Sequence, residues 1–344
     1  TASPTRFADL LDLARLPYFS AKDGRLVLAD PALGPAIDVH THLALTYVVP
    51  QKVDLGREHP ATEHYLPSYR AFELDVYANR NFAPEDLERM TKDLALGSLT
   101  AGGMRLTHTV PNLAREMREL GVRASVLLPI DFPFLSENAT TWLRAIAGRG
   151  DFVGFGSVHP YTKDVEAKLD AQVALGARGV KVHPAVQNVR PDAERAKRLY
   201  RLCGDRGLVV FFHCGPVDIE TALGRYLSQV RWYEEAIAEC PGTTFVLGHS
   251  GALQMPEALG FAKKYPNVWL EIASQSLSGV QRLVSEAPED RLLFGTDWPF
   301  YHQAMGLAKV FLATEGKDAL RKKLLHENAE RLLGLGPSPA PVLP

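Results

Sequence analysis

The chain has 344 residues, 46% hydrophobic and 23% charged, with a formal net charge of −2. That composition is ordinary for a soluble globular protein, and the length suits two average domains or one α/β barrel. No basic stretch offers a nucleic-acid surface and no apolar stretch approaches the ~18 residues a membrane-spanning helix needs, so neither partner is expected.

Residues 1–36 read as a short N-terminal extension. Thr1 to Leu16 mixes Arg and Asp with apolar residues and lacks the core of a secretion signal. Cys203, Cys214 and Cys240 form an odd set without metal-finger spacing, which fits a reduced, cytoplasmic compartment.

The first strand runs over Ile37 to Leu43 and carries His40-Thr41-His42. Alternate residues of a strand share a face, so two imidazoles stand side by side. Residues 44–81 then break the pattern with Pro50, Pro60, Pro67 and several tyrosines. The stretch is too long for a plain loop and is expected to be an insertion over the strand's C-terminal end. Residues 82–120 read as mainly helical, broken at Gly102-Gly103.

From residue 120 onward strand-like runs alternate with amphipathic segments. The runs are RASVLLP (123–129), DFVGFGSVHP (151–160), GVKVHP (179–184), LVVFFHCG (208–215), TFVLGHSG (244–251), VWLEIAS (268–274) and LLFGTDWP (292–299). Helices are expected over 163–175, 192–207, 230–239, 256–264, 279–286 and 303–314. Repeated strand–helix units imply parallel pairing with right-handed crossovers. Eight strands predict an α/β fold of the closed TIM (β/α)8 type. An open doubly wound sheet is the alternative, disfavoured because no glycine-rich phosphate loop follows the first strand. The Pro-rich tail, 336–344, is expected to be disordered.

Single polar residues end these runs: His40 and His42, Lys181 and His183, His213, His249 and Asp297. In a barrel the strand ends surround one mouth. Three imidazoles and a carboxylate suit zinc, manganese or iron with a position left for water, and such an ion lowers the pKa of its water toward ~7. His159 could line the same mouth. His59, His64, His108, His302 and His326 read as surface or packing residues, and Cys214 as packing. Glu271, inside an apolar strand, reads either as partner to a buried cation or as a polar layer residue. Trp298 and Phe300 read as an apolar wall.

The motifs IDVHTH (37–42), GVKVHP (179–184), FFHCG (211–215), LGHSG (247–251) and GTDWP (295–299), with HENAERLLGL (326–335), resemble the amidohydrolase superfamily, in its amidohydrolase-related (amidohydrolase-2) branch. The resemblance spans 37–335 but not the insertion. It implies one divalent metal, foremost zinc, held by His40, His42, His213 and Asp297. It also implies that His249 moves a proton and that Asp297 doubles as a base. A second ion would enter only if Lys181 were carboxylated; otherwise Lys181 and His183 are further pocket residues. The expected activity is metal-dependent hydrolysis of an amide, ester or lactone carbonyl in a small molecule. The alternative is non-oxidative decarboxylation of an aromatic or unsaturated acid, marked by a cation facing the substrate carboxylate: Lys181, Arg57, Arg70 or Arg80. A non-catalytic metal-binding barrel is disfavoured by the filled ligand set. Enzymes of this kind are commonly homodimers.

Overall fold

Strands buried on both faces need apolar side chains throughout, and the Val- and Phe-rich runs meet that need. The computed structural model describes residues 4–337 apart from 48, 101, 133 and 134. From residue 338 the tail expected to be disordered lies outside the described residues. Eight strands follow in chain order: β1 (Ala36–Thr41), β2 (Val122–Leu127), β3 (Phe152–Gly154), β4 (Gly179–Val182), β5 (Val209–His213), β6 (Phe245–Gly248), β7 (Val268–Glu271) and β8 (Leu292–Leu293). Every residue in them is buried except Arg123.

Strands β1 to β3 form one parallel ladder and β4 to β8 another. Two parallel bridges join the ladders, Gly156 with Val180 and Thr41 with Trp298. At the second seam Val39 N–H donates to Phe294 O (2.9 Å) and Asp297 N–H to His40 O (2.8 Å). The strands thus make the ring of a (β/α)8 barrel. Helices Val165–Ala174, Glu194–Asp205, Met255–Lys264, Leu277–Glu286 and Gln303–Ala313 fall on segments whose apolar spacing predicts them. Their starts follow local chemistry. Pro256 occupies the first turn of one, and Ser276 caps another by accepting from Gly279 N–H at 3.0 Å.

One irregularity in β1 matters for function. Asp38 pairs with Ser125 and Thr41 with Leu127, so three steps on β1 match two on β2. The extra residue breaks strict alternation. His40 and His42 line the barrel's cavity, whereas Asp38 meets the segment after β8 and the helix behind it. Its buried carboxylate accepts from His40 N–H (3.1 Å), Thr296 N–H (3.0 Å), Thr296 Oγ1 (2.5 Å) and Gln303 Nε2 (2.7 Å). Burial pushes its pKa up to about 7, against the pull of those four donors.

Residues 44–81 are irregular but fastened. Phe72–Glu73 pairs antiparallel with Arg6–Phe7, so this stretch and the N-terminal extension hold each other. Tyr65 and Leu66 N–H donate to Pro299 O (3.0 Å) and Phe300 O (2.9 Å), just beyond β8. His108 ties the other side: its Nε2 donates to Glu63 O (2.8 Å), and its carbonyl accepts from Ala44 N–H (2.9 Å).

Burial pushes the His108 pKa down to about 3, so the folded protein holds it neutral. A folded pKa below the unfolded value of ~6.5 contributes stability that is present above pH 6.5 and lost as pH falls toward 3. Between pH 7 and pH 4 this group is expected to remove roughly 3 kcal/mol. Urea unfolding of wild type and His108→Gln at pH 7, 5.5 and 4 checks this. The variant should lose less stability on acidification, and parallel curves would contradict the assignment.

Candidate metal centre

The polar strand ends come together. His40 and His42 at the end of β1, Lys181 and His183 at β4, His213 at β5, His249 after β6 and Asp297 after β8 all line one cavity of about 390 Å³. Within it, nitrogen or oxygen atoms of His40, His42 and Asp297 lie within 4.8 Å of one another. Asp297 Oδ1 is 3.1 Å from His42 Nε2 and 3.4 Å from His40 Nε2.

Both imidazoles are oriented from behind. His42 Nδ1 donates to Leu128 O at 2.7 Å, and His40 Nδ1 meets Glu271 Oε2 at 2.9 Å. An acceptor on the far nitrogen fixes the tautomer and turns the Nε2 lone pair toward the site, the usual outer support of a ligating histidine. With Nδ1 as donor, His42 Nε2 and Asp297 Oδ1 face each other as two acceptors. That arrangement needs a proton or a cation between them. The residues present therefore fit a divalent ion of the zinc class.

Charge states agree with that fit. Burial, with neighbouring cations adding to it, pushes His40 and His213 well below the ordinary imidazole value and leaves them neutral donors. For Asp297 burial works upward. The close contact with His42 and the positive charge of Lys181 work the other way, and the carboxylate is held below its ordinary value.

His213 stands apart from the three-residue group. Its ring lies 4.9 Å from that of His249 and stacks on His183 at 3.9 Å, 8° from parallel. Lys181 places Nζ 3.5 Å from His40 Nε2 and 4.9 Å above the Phe211 ring. Burial pushes its pKa down to about 8, with Asp297 and Glu271 pulling the other way.

His249 sits in a strained turn. Its φ is 56°, followed by 47° at Ser250, 81° at Gly251 and 50° at Ala252. Non-glycine residues rarely hold such angles without support. The support is Gln275, whose Nε2 donates to His249 O (2.7 Å) and Ala252 O (2.9 Å), with Ser250 Oγ donating to Glu271 O (2.7 Å). The ring's Nδ1 donates to Ala273 O at 3.2 Å, so Nε2 is left for the cavity. Burial pushes the pKa down to about 4, which keeps the imidazole neutral at pH 7.

Glu271 binds the centre together. It accepts from His249 N–H at 3.0 Å and from Ala273 N–H, and it holds His40. A Cβ at position 295 would lie 2.3 Å from Glu271 Oε1 and 2.9 Å from His40 Cβ, so glycine is required there. The sequence marks Glu271 as a charge in an apolar strand but not its partners, which come from β1 and the turn after β6. Tyr47, Tyr77 and Asn79 of the insertion also line the cavity, as do Met90 and Leu94 and, on the rim, Val217 and Ile219. Phe300 does so too, whereas Trp298 is buried behind it with its indole N–H on Glu116. His159 is turned to Gln187 O (2.9 Å) and lies outside the cavity wall.

The family model for amidohydrolases of the Amidohydro_2 type matches residues 37–335. The chain belongs to that amidohydrolase family. It is accordingly an enzyme. Solved structures share the fold at low identity. A TIM-barrel protein of Bordetella bronchiseptica is 21% identical, with a TM-score of 0.63 over 88% of this chain and 99% of that one. A probable 2-pyrone-4,6-dicarboxylic acid hydrolase of Acinetobacter baumannii is 16% identical (TM-score 0.54, 88% and 100% covered). A 2,6-dihydroxybenzoate decarboxylase from Rhizobium is 16% identical (TM-score 0.55, 87% and 99% covered). No curated protein sequence matches the chain.

Two measurements test the centre. Elemental analysis should find metal in the wild type and lose it in His40→Ala and Asp297→Asn; unchanged occupancy in both would rule the group out. Glu271→Gln, which weakens the support behind His40, should lower metal affinity about 10- to 100-fold in a chelator competition titration.

Proposed function

We propose that this amidohydrolase is a metal-dependent hydrolase acting on an ester, lactone or amide carbonyl of a small molecule with an apolar body. The carrying observation is the lining of the cavity. Among the described residues Lys181 is its one basic residue besides the histidines, and it lies at the metal pole. Leu45, Met90, Leu94, Ile130, Val186 and Ile219 supply apolar lining. Among the described residues no arginine lines this space. Arg70 is bound to Glu85 and Asp86, and Arg80 is exposed beside Asp218. Arg57 is not among the lining residues.

A divalent ion held by His40, His42 and Asp297, with His213 nearby, would supply Lewis acidity toward the carbonyl and acidify water. The chain's residues supply the rest. His249, neutral and with Nε2 free, can take a proton from water and return it to the leaving atom. Asp297, ionised at the same pole, can hold that water's proton side. The apolar wall excludes bulk water and orients the acyl body.

Decarboxylation is the second reading, favoured by one observation: no carboxylate lies within 4.0 Å of Lys181 Nζ among the described residues, so the ammonium could meet a substrate carboxylate. A substrate panel separates the two. Alkyl and aryl lactones, esters and amides should turn over without CO2, while hydroxybenzoates should give none. CO2 release from the acids without hydrolysis of the others would reverse the assignment. His249→Asn should lower kcat by about 10²- to 10⁴-fold with metal content unchanged.

A further inference from the structure

The insertion brings its own tyrosines to the barrel, and their hydroxyls differ in fate. Tyr65 OH donates to Asp93 at 2.9 Å. Tyr69 is 65% exposed and away from the cavity. Tyr77 lines the cavity, but its hydroxyl is buried in the protein, beside Ser274. Tyr47 also lines the cavity, and its hydroxyl is neither sealed in the protein nor hydrogen-bonded to any described residue. Its ring packs toward Phe132, with centroids 6.3 Å apart. Three other polar side chains of the wall are spent internally. Asn79 donates to Val217 O and accepts from Tyr301, Glu220 accepts from Val217 and Ile219 N–H, and Thr221 accepts from Gly224 N–H.

We propose that Tyr47 is a catalytic residue whose hydroxyl donates a hydrogen bond to the substrate's acyl oxygen as negative charge develops on it. The inference rests on the hydrolase reading above. A phenol in this position has the chemistry required. Burial and the charge of Asp297 raise its pKa well above the ordinary value, so the proton stays on the oxygen. A donor carried on a ring in this cavity can stabilise a developing oxyanion more than the ground-state carbonyl. The ring stands on the insertion, while the ligands and His249 stand on the barrel. The substrate would thus be gripped between the two.

The test uses zinc-loaded wild type, Tyr47→Phe and, as control, Tyr69→Phe. The probe is an O-alkyl alkylphosphonate, a tetrahedral oxyanion with an apolar body, titrated by calorimetry. Tyr47→Phe removes one oxygen and keeps the ring packing, so zinc content and unfolding midpoint should match the wild type. Phosphonate affinity should fall at least about 10-fold, and kcat on a responding ester or lactone about 10²-fold with little change in KM. Tyr69→Phe should match wild type throughout. Binding by Tyr47→Phe within twofold of wild type, or no phosphonate binding by wild type, overturns the proposal. Failure of the hydrolase reading looks different: wild type then binds phosphonate in a Tyr47-dependent way but hydrolyses none of the panel.

Discussion

The buried carboxylate of Glu271 is the constraint on which the centre depends. A carboxylate cut off from water costs several kcal/mol unless its oxygens are fully bonded. Glu271 is fully buried, and burial pushes its pKa up to about 8 against two backbone amides. Those amides, of His249 and Ala273, together with the His40 imidazole, are the groups that satisfy it. Meeting that need fixes where β1, the turn after β6 and the end of β7 stand relative to one another. It also accounts for two local oddities. The run of left-handed residues from His249 to Ala252 lets the His249 amide point at Glu271, and Gly295 leaves room for the carboxylate beside β8.

Asp38 does the matching work on the other side of β1. It ties His40 N–H to Thr296 and Gln303, so β1 is gripped between β7 and the segment after β8. The two carboxylates hold His40 from front and back along the chain. The β1 bulge makes this division workable, because it lets Asp38 face the outer helix while His40 and His42 face the cavity. Ligand nitrogens held this way are set before any ion arrives, which is the condition for tight and selective binding.

Much of the barrel is legible in the sequence because its signals are local. Val209–His213 is a strand whose burial on both faces demands VVFFH, and Met255–Lys264 is a helix announced by Pro256 and its apolar stripe. The strand-end residues are legible for the same reason: a lone polar residue closing an apolar run stands out. What is not legible depends on contacts between distant segments. Strict alternation would place Asp38 on the face of His40 and His42, and only the pairing with β2 reveals the bulge. Likewise the stacking of His213 on His183 is a contact between the ends of β4 and β5 that no local pattern encodes. His64 and His108 read as packing residues, and their bonds to Glu116 and Glu63 show what they pack: the insertion, against the helical segment leading to β2.

That packing separates chemistry from recognition. The metal pole is built from β1, β4, β5 and the turns after β6 and β8, all locked by buried polar bonds. Other lining residues come from elsewhere: Tyr47 and Tyr77 from the insertion, Met90 and Leu94 from the helix Pro84–Leu96, and Val217 and Ile219 from the segment after β5. The wall's apolar side chains are not among the groups that hold Glu271 or Asp38, so they can change in size without disturbing either. A barrel arranged this way keeps one reaction centre while its insertion alters the molecule admitted. This explains why motifs that identify the family so clearly say little about substrate: they cover the locked half of the site. The residues that decide what enters lie on segments constrained only by fit to the ligand and by anchors such as Tyr65 on Pro299 and His108 on Glu63.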